Sequence, residues 1–132
     1  MAKGGRLDDA IDLFHKSLSV KPDFVEALHN LGSVMAARGD LDQAIHYLLK
    51  ALQIDPAHVN SHFNLANIVA RQGDLQWAIE HFQAALKVKP DFAEAHESLA
   101  RALAAQGKTR EAAKHYQEAL RLLKSRRKAA AG

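Results

Sequence analysis

The chain's only three prolines, Pro22, Pro56 and Pro90, stand 34 residues apart. Gly5, Gly39, Gly73 and Gly107 keep the same interval, as do Ala10, Ala44, Ala78 and Ala112. So do Phe14, Leu48, Phe82 and Tyr116, and Leu31, Leu65 and Leu99. Five position classes in register at one period mean tandem copies of a single supersecondary unit. Each unit carries two apolar stripes of helical spacing, for example Leu28, Leu31, Met35 and then Leu41, Ile45, Leu48, Leu52. An Arg-Gly-Asp or Gln-Gly-Asp turn separates them, with Gly39 and Gly73 suited to a left-handed helix end and Asp40 and Asp74 to capping the next helix. Asp23 with Glu26, and Asp91 with Glu94, have the spacing of capping boxes after proline. Small residues at Ala44, Ala51, Ala78, Ala85, Ala112 and Ala119 let paired helices approach closely. One such pair cannot bury its own apolar face, so the pairs must stack.

With Val25, Val59 and Ala93 as first positions, the repeats read Leu28, Leu31, Gly32, Met35, Ala44, Leu48, Ala51, Pro56; then His62, Leu65, Ala66, Val69, Ala78, Phe82, Ala85, Pro90; then His96, Leu99, Ala100, Leu103, Ala112, Tyr116, Ala119, with Lys124 at the proline position. This pattern resembles the tetratricopeptide repeat family over residues 5–125. It departs in lacking an aromatic at the fourth position and in carrying Ala at two of the three eighth positions. The resemblance implies an all-α, right-handed superhelical solenoid of antiparallel helix pairs, about 3.5 repeats long. The expected divisions are 1–24, a partial repeat holding only a second helix (about residues 7–20); full repeats at 25–58, 59–92 and 93–126; and a disordered basic and alanine tail at 127–132. Because it begins on a second helix, the chain is expected to be a C-terminal piece of a longer array, cut by engineering.

Charge adds little to a nucleic-acid reading. The formal charge is +3, but Arg121, Lys124, Arg126, Arg127 and Lys128 leave 13 basic and 15 acidic side chains in residues 1–120. No cysteine is present, which removes disulfides, thiol nucleophiles and thiolate zinc sites. No apolar run reaches the ~20 residues of a membrane span, and no secretory signal is visible, so the default compartment is cytoplasmic. Gly4-Gly5 opens no phosphate loop, and His96-Glu97 lacks the second histidine of a zinc-protease helix. His58 and His62, at i and i+4, are a conceivable metal pair, and His29 with Ser33 a conceivable hydrolytic dyad. Both are outweighed by packing roles, and the expectation is no enzyme, no cofactor and no metal.

The resemblance further implies that positions 2, 5, 6, 9, 12 and 13 of each first helix line a concave groove. The binding residues so assigned are His29, Asn30, Ser33, Asn60, Phe63, Asn64, Asn67, Arg71 and Arg101. Asparagine is a poor helix-interior residue, so Asn30, Asn60, Asn64 and Asn67 ask for a reason. Their carboxamides can pair with a peptide group in both directions, like the Asn ladder of O-GlcNAc transferase repeats, although Ser98 breaks the third rung. Alternatively they bond between helices and fix the stacking. Glu94 and Glu97 are expected to make the far end acidic, so the ligand is expected to be mixed in charge. The terminal-carboxylate clamp of chaperone co-factors is disfavoured, because only Asn64 matches among His29, Ser33, Asn64, Glu94 and Ser98. Trp77 has polar equivalents in Asp9, Gln43 and Glu111, so it is expected at the surface, either as a contact residue or lying over its neighbours. Leu7, Ile11, Phe14 and Leu18 form a stripe lacking its usual partner helix, expected to stay partly exposed and, with Trp77, to drive homo-oligomerisation. The function expected is a protein-interaction scaffold holding an extended peptide, with no nucleic acid bound. The rival readings are a substrate-recruiting module of a larger enzyme, such as a glycosyltransferase, and a self-assembling array.

Overall fold

The computed structural model describes residues 2–131, with side chains from Gly5 onward; Met1 and Gly132 lie outside the described residues. Seven helices follow one another: α1 Ala2–Val20, α2 Val25–Arg38, α3 Leu41–Ile54, α4 Val59–Arg71, α5 Leu75–Val88, α6 Ala93–Ala105 and α7 Thr109–Ala131. The pairs α2/α3, α4/α5 and α6/α7 are the three full repeats. α1 is an unpaired second helix that packs on α2. Along one side α2 touches α4 and α4 touches α6, whereas α1, α3, α5 and α7 do not reach one another among the described residues. The stack therefore curves, with α2, α4 and α6 on its inner face.

The turns follow from their residues. Gly39, Gly73 and Gly107 adopt φ of 91°, 89° and 83°, the left-handed conformation that ends each first helix. The side chains of Asp40 and Asp74 cap α3 and α5 by accepting from Gln43 N and Trp77 N. The expected capping boxes do not form. Helices α2 and α6 begin after Phe24 and Phe92, one residue beyond Asp23 and Asp91, and neither phenylalanine has a side chain able to cap. At the matching position His58 caps α4 with its ring, accepting from Ser61 N at 3.3 Å.

One further expectation changes. Residues 127–131 are helical, because Lys124 stands where proline stops the earlier second helices and the following alanines favour helix. Arg126 also ties this stretch to α6 through two bonds to Glu94 at 3.0 and 3.2 Å. Of the α1 stripe, Ile11 is buried, Leu7, Phe14 and Leu18 are half-buried, and Phe14 and Leu18 pack against the core. At its end α1 leaves Val20 open and, mid-helix, Leu13, 62% exposed. In the full repeats its counterparts Tyr47, His81 and His115 face a first helix, which α1 lacks. Trp77 is half-buried over the core, with its ring 5.6 Å from that of His81, so it is not a free surface anchor.

The core runs the length of the stack through Leu31, Leu48, Leu65, Phe82, Leu99 and Leu103. Gly32 is the tightest point. A Cβ there would lie 2.8 Å from Leu48 Cγ and 3.2 Å from the Ala44 carbonyl oxygen. The next repeat accommodates Ala66 because Phe82 replaces the branched leucine.

Where the first repeat has Leu28 and Tyr47, the later two have histidine pairs. His62 and His81 meet Nδ1 to Nδ1 at 3.0 Å, and His96 and His115 at 2.9 Å. The Nε2–H of His62 donates to the Pro56 carbonyl and that of His96 to the Pro90 carbonyl. Their Nδ1 atoms are therefore acceptors, and the Nδ1–H of His81 and of His115 donates to them. Centroids 5.2 Å apart leave room only for the N···N gap and two ring radii, so the nitrogens point head to head rather than converging on a metal. Burial, and then the facing histidine, holds His81 and His115 below the ordinary histidine range.

A depressed histidine pKa means that the unfolded chain binds more protons than the folded one below about pH 6.5, so stability falls as pH drops through that range. Thermal unfolding from pH 7.5 to 5.5 should show Tm falling by several degrees. The replacement of both pairs by the Leu28/Tyr47 combination (His62→Leu, His81→Tyr, His96→Leu, His115→Tyr) should flatten that dependence. At the tight crossing, Gly32→Ala should lower stability by about 1–2 kcal/mol in denaturant titration, and adding Leu48→Phe should recover most of the loss.

Candidate interaction groove

The inner face presents one turn after another of α2, α4 and α6. Two adjoining cavities open on it. The smaller, about 320 Å³, is lined by Ser33, Ala36, Ala37, Asn64, Asn67, Ile68 and Arg71. The larger, about 470 Å³, is lined by Asn67, Ala70, Arg71, Leu75, Phe82, Ser98, Arg101 and Ala102. Asn67 and Arg71 belong to both and form the divide between them. Alanines at positions 12 and 13 of α2 and 12 of α4 keep the groove open, since longer side chains there would fill it. Sequence reasoning placed Ser33, Asn64, Asn67, Arg71 and Arg101 on this surface, and the structure brings them together around the two cavities. It also adds Leu75 and Phe82, which reach the larger cavity from the second helix α5, where position counting along first helices does not look.

Four assigned residues line neither cavity. Phe63 is wedged between repeats, its ring 4.7 Å from that of Phe92 and 6.0 Å from that of Phe82. His29 is half-buried, and its Nε2 accepts from Asn64 Nδ2 at 2.8 Å. Burial foremost, then the adjacent His58, keeps its pKa low, and in the neutral ring its Nδ1–H is buried without a partner among the described residues. Asn60 is exposed and Asn30 half-buried, and neither lines a cavity. Asn64 Nδ2 also donates to Ser33 Oγ at 3.0 Å. One rung of the proposed ladder thus bonds across the repeats, and its oxygen is left for other contacts.

A second constellation has the outline of catalytic chemistry. Ser61 Oγ–H donates to His58 Nδ1 at 2.7 Å, and His58 Nε2–H donates to Glu26 Oε1 at 2.6 Å. The hydrogen bond from His58 holds the Glu26 carboxyl below its ordinary range. Ser61 is fully buried, however, so no substrate can reach its hydroxyl. The triad-like line is an inter-repeat tie that also caps α4. His58 and His62, a conceivable metal pair from spacing, bond in different directions. Among the described residues no group of three or more candidate metal ligands gathers, and no helix is long and apolar enough to cross a membrane.

The charges of the inner face are unequally engaged. Glu26 is held by His58 and Glu94 by Arg126, whose bonds keep the Glu94 carboxyl below its usual range. Glu97 lies 3.9 Å from Arg101, a loose exposed pair. Among the described residues no carboxylate lies within 4.0 Å of Arg71.

Comparison with known proteins accords with this geometry. Family models for the tetratricopeptide repeat match residues 23–91 and 63–127. Among solved structures, a MamA protein at 25% identity superposes with a TM-score of 0.83, covering 96% of this chain and 69% of that one. MamA AMB-1, at 28% identity, gives 0.79 over 93% of this chain and 67% of that one. MamA MSR-1, at 26%, gives 0.78 over 94% and 71%. No curated protein sequence matches the chain. The curved stack of helix pairs, the 34-residue period and the matched models together establish that the chain belongs to the tetratricopeptide repeat family and is a scaffold for protein–protein interaction.

Proposed function

We propose that the inner face binds an extended segment of a partner protein, laid along α2, α4 and α6 across the two cavities, with no chemistry performed by this chain. The observation that carries the reading is the continuous groove joined at Asn67 and Arg71, together about 790 Å³ of open volume. A partner backbone can approach closely over Ala36, Ala37 and Ala70. The Asn67 carboxamide then offers donors and an acceptor to its peptide groups, and the Asn64 oxygen one further acceptor. Such contacts hold a main chain without reading its sequence, so specificity must come from the cavities and the charges beside them.

A photo-crosslinking residue placed at Ala37 should capture a partner that the same residue at Lys87, on an outer helix, does not. Asn67→Ala should weaken capture of that partner about five- to tenfold, since one direct hydrogen bond contributes about 1 kcal/mol. Equal capture at both positions would argue against the groove. The two asparagines should separate in a stability measurement. Asn64→Ala should lower unfolding free energy by about 1–2 kcal/mol, because it strips the partners from His29 Nε2 and Ser33. Asn67→Ala should leave it within about 0.5 kcal/mol.

A further inference from the structure

The two inner cavities differ in what lies beneath them. The larger has an apolar floor of Ala70, Leu75, Phe82 and Ala102, and a rim of Asn67, Arg71, Ser98 and Arg101. Phe82 is only 1% exposed, so the hollow ends on the side of a ring that belongs to the core. Water there meets mainly hydrocarbon, and an apolar side chain entering would displace it favourably.

The rim is cationic. Arg101 donates to Ser98 Oγ at 3.3 Å and has only Glu97, at 3.9 Å, as a charge partner. An exposed i,i+4 pair of that kind is weak and exchanges readily for a better acceptor. Arg71 has no carboxylate within reach among the described residues. Of the two remaining inner acids, Glu94 is paired with Arg126, and Glu26, at the far end of the face, accepts the His58 Nε2–H. Two guanidiniums thus flank one apolar hollow, from adjacent helices.

We propose that this hollow seats one large apolar side chain of an acidic partner segment, with a carboxylate on each side of that residue taken by Arg71 and Arg101. The proposal rests on the inner-face reading above and specifies its ligand. In an extended segment side chains alternate between faces, so the acids that share the groove side with the seated residue stand two before and two after it, about 13 Å apart. Neighbouring helices in contact lie about 8–10 Å apart, a difference the two long arginine side chains span easily. Each guanidinium can accept a carboxylate in a two-bond geometry that lysine cannot reproduce. The seated residue supplies burial and the flanking acids supply direction and sign. A mixed-charge ligand with a basic part at the glutamates is disfavoured, because Glu94 is bound to Arg126.

The test uses fluorescence anisotropy with the full chain and three labelled peptides. One carries leucine with a glutamate two residues to each side of it in a Gly/Ser background, the second replaces the glutamates by lysines, and the third replaces the leucine by serine. The first should bind at least about tenfold more tightly than either other, and more weakly as salt rises. Arg71→Ala with Arg101→Ala should reduce its affinity by about tenfold or more. Ala70→Leu, which fills the hollow and keeps both arginines, should reduce it similarly, and Lys87→Ala should not. Unfolding curves run in parallel separate lost binding from lost folding; a variant that unfolds is replaced by Arg71→Gln or Ala70→Val. No binding of the first peptide at millimolar concentration, equal binding of all three, or indifference to the Ala70 substitution would overturn the proposal. A partner of other chemistry captured through Ala37 would leave the groove reading standing while this one falls.

Discussion

Every helix pair in this molecule crosses over residues no larger than alanine. Ala44, Ala51, Ala78 and Ala85 have no exposed surface, and Gly32, Ala66 and Ala100 face the same crossings. That close approach sets how far each repeat extends along the stack. It also brings Leu31, Leu48, Leu65, Phe82 and Leu99 into one continuous core. Because burial comes from neighbours rather than from within a pair, stability is a sum over adjoining repeats. The last pair shows what a missing neighbour does: Tyr116 is 39% exposed where its counterpart Phe82 is 1% exposed.

The histidine pairs are a polar variation on the same packing. At the matching positions of the first full repeat stand a leucine and a tyrosine, Leu28 and Tyr47, which need no proton arrangement to pack. Two histidines fill the space only if their protons are arranged, one ring donating to the backbone and the other to the first ring. That arrangement ties two helices of one repeat to the preceding turn through Pro56 or Pro90. Satisfied buried networks of this kind hold elements in one register, and a surplus proton disrupts them. The chain therefore couples its stacking to pH at two equivalent places, one repeat apart.

The fold was legible because the period is written in residues whose reasons are local: glycine at a left-handed turn, aspartate at a helix start, proline at a helix end. Where those markers lapse, the reading lapsed as well. Lys124 replaces the expected proline, and α7 runs on through residues assigned to a disordered tail. Asp23 and Asp91 were one residue early as caps, a distinction that depends on the backbone angles of Phe24 and Phe92. In the groove, Ser33, Asn64, Asn67, Arg71 and Arg101 were legible from repeat position. Phe63 was not, because its orientation is decided by Phe92 in the following turn, where the other equivalents are Phe24 and His58. The α1 stripe is covered from α2 alone, so Leu7, Phe14 and Leu18 stay half-buried while Ile11 is buried.

The sign of the groove shows why counting charges differs from locating them. By repeat position the inner face holds Glu26, Glu94 and Glu97 against Arg71 and Arg101, a count that favours the acids. Pairing evens it, since Arg126 takes Glu94 out of the count. A carboxylate bonded twice to a guanidinium is seen from a distance as a dipole, whose field falls off faster than that of a single charge. At physiological salt, with a screening length of about 8 Å, little of it reaches the next repeat. Arg126 supplies that neutralisation from the extension of α7, which continues because no proline stops it. The same substitution that lengthens the last helix thus removes an acid from the groove, beside which Arg71 has no carboxylate within 4.0 Å among the described residues.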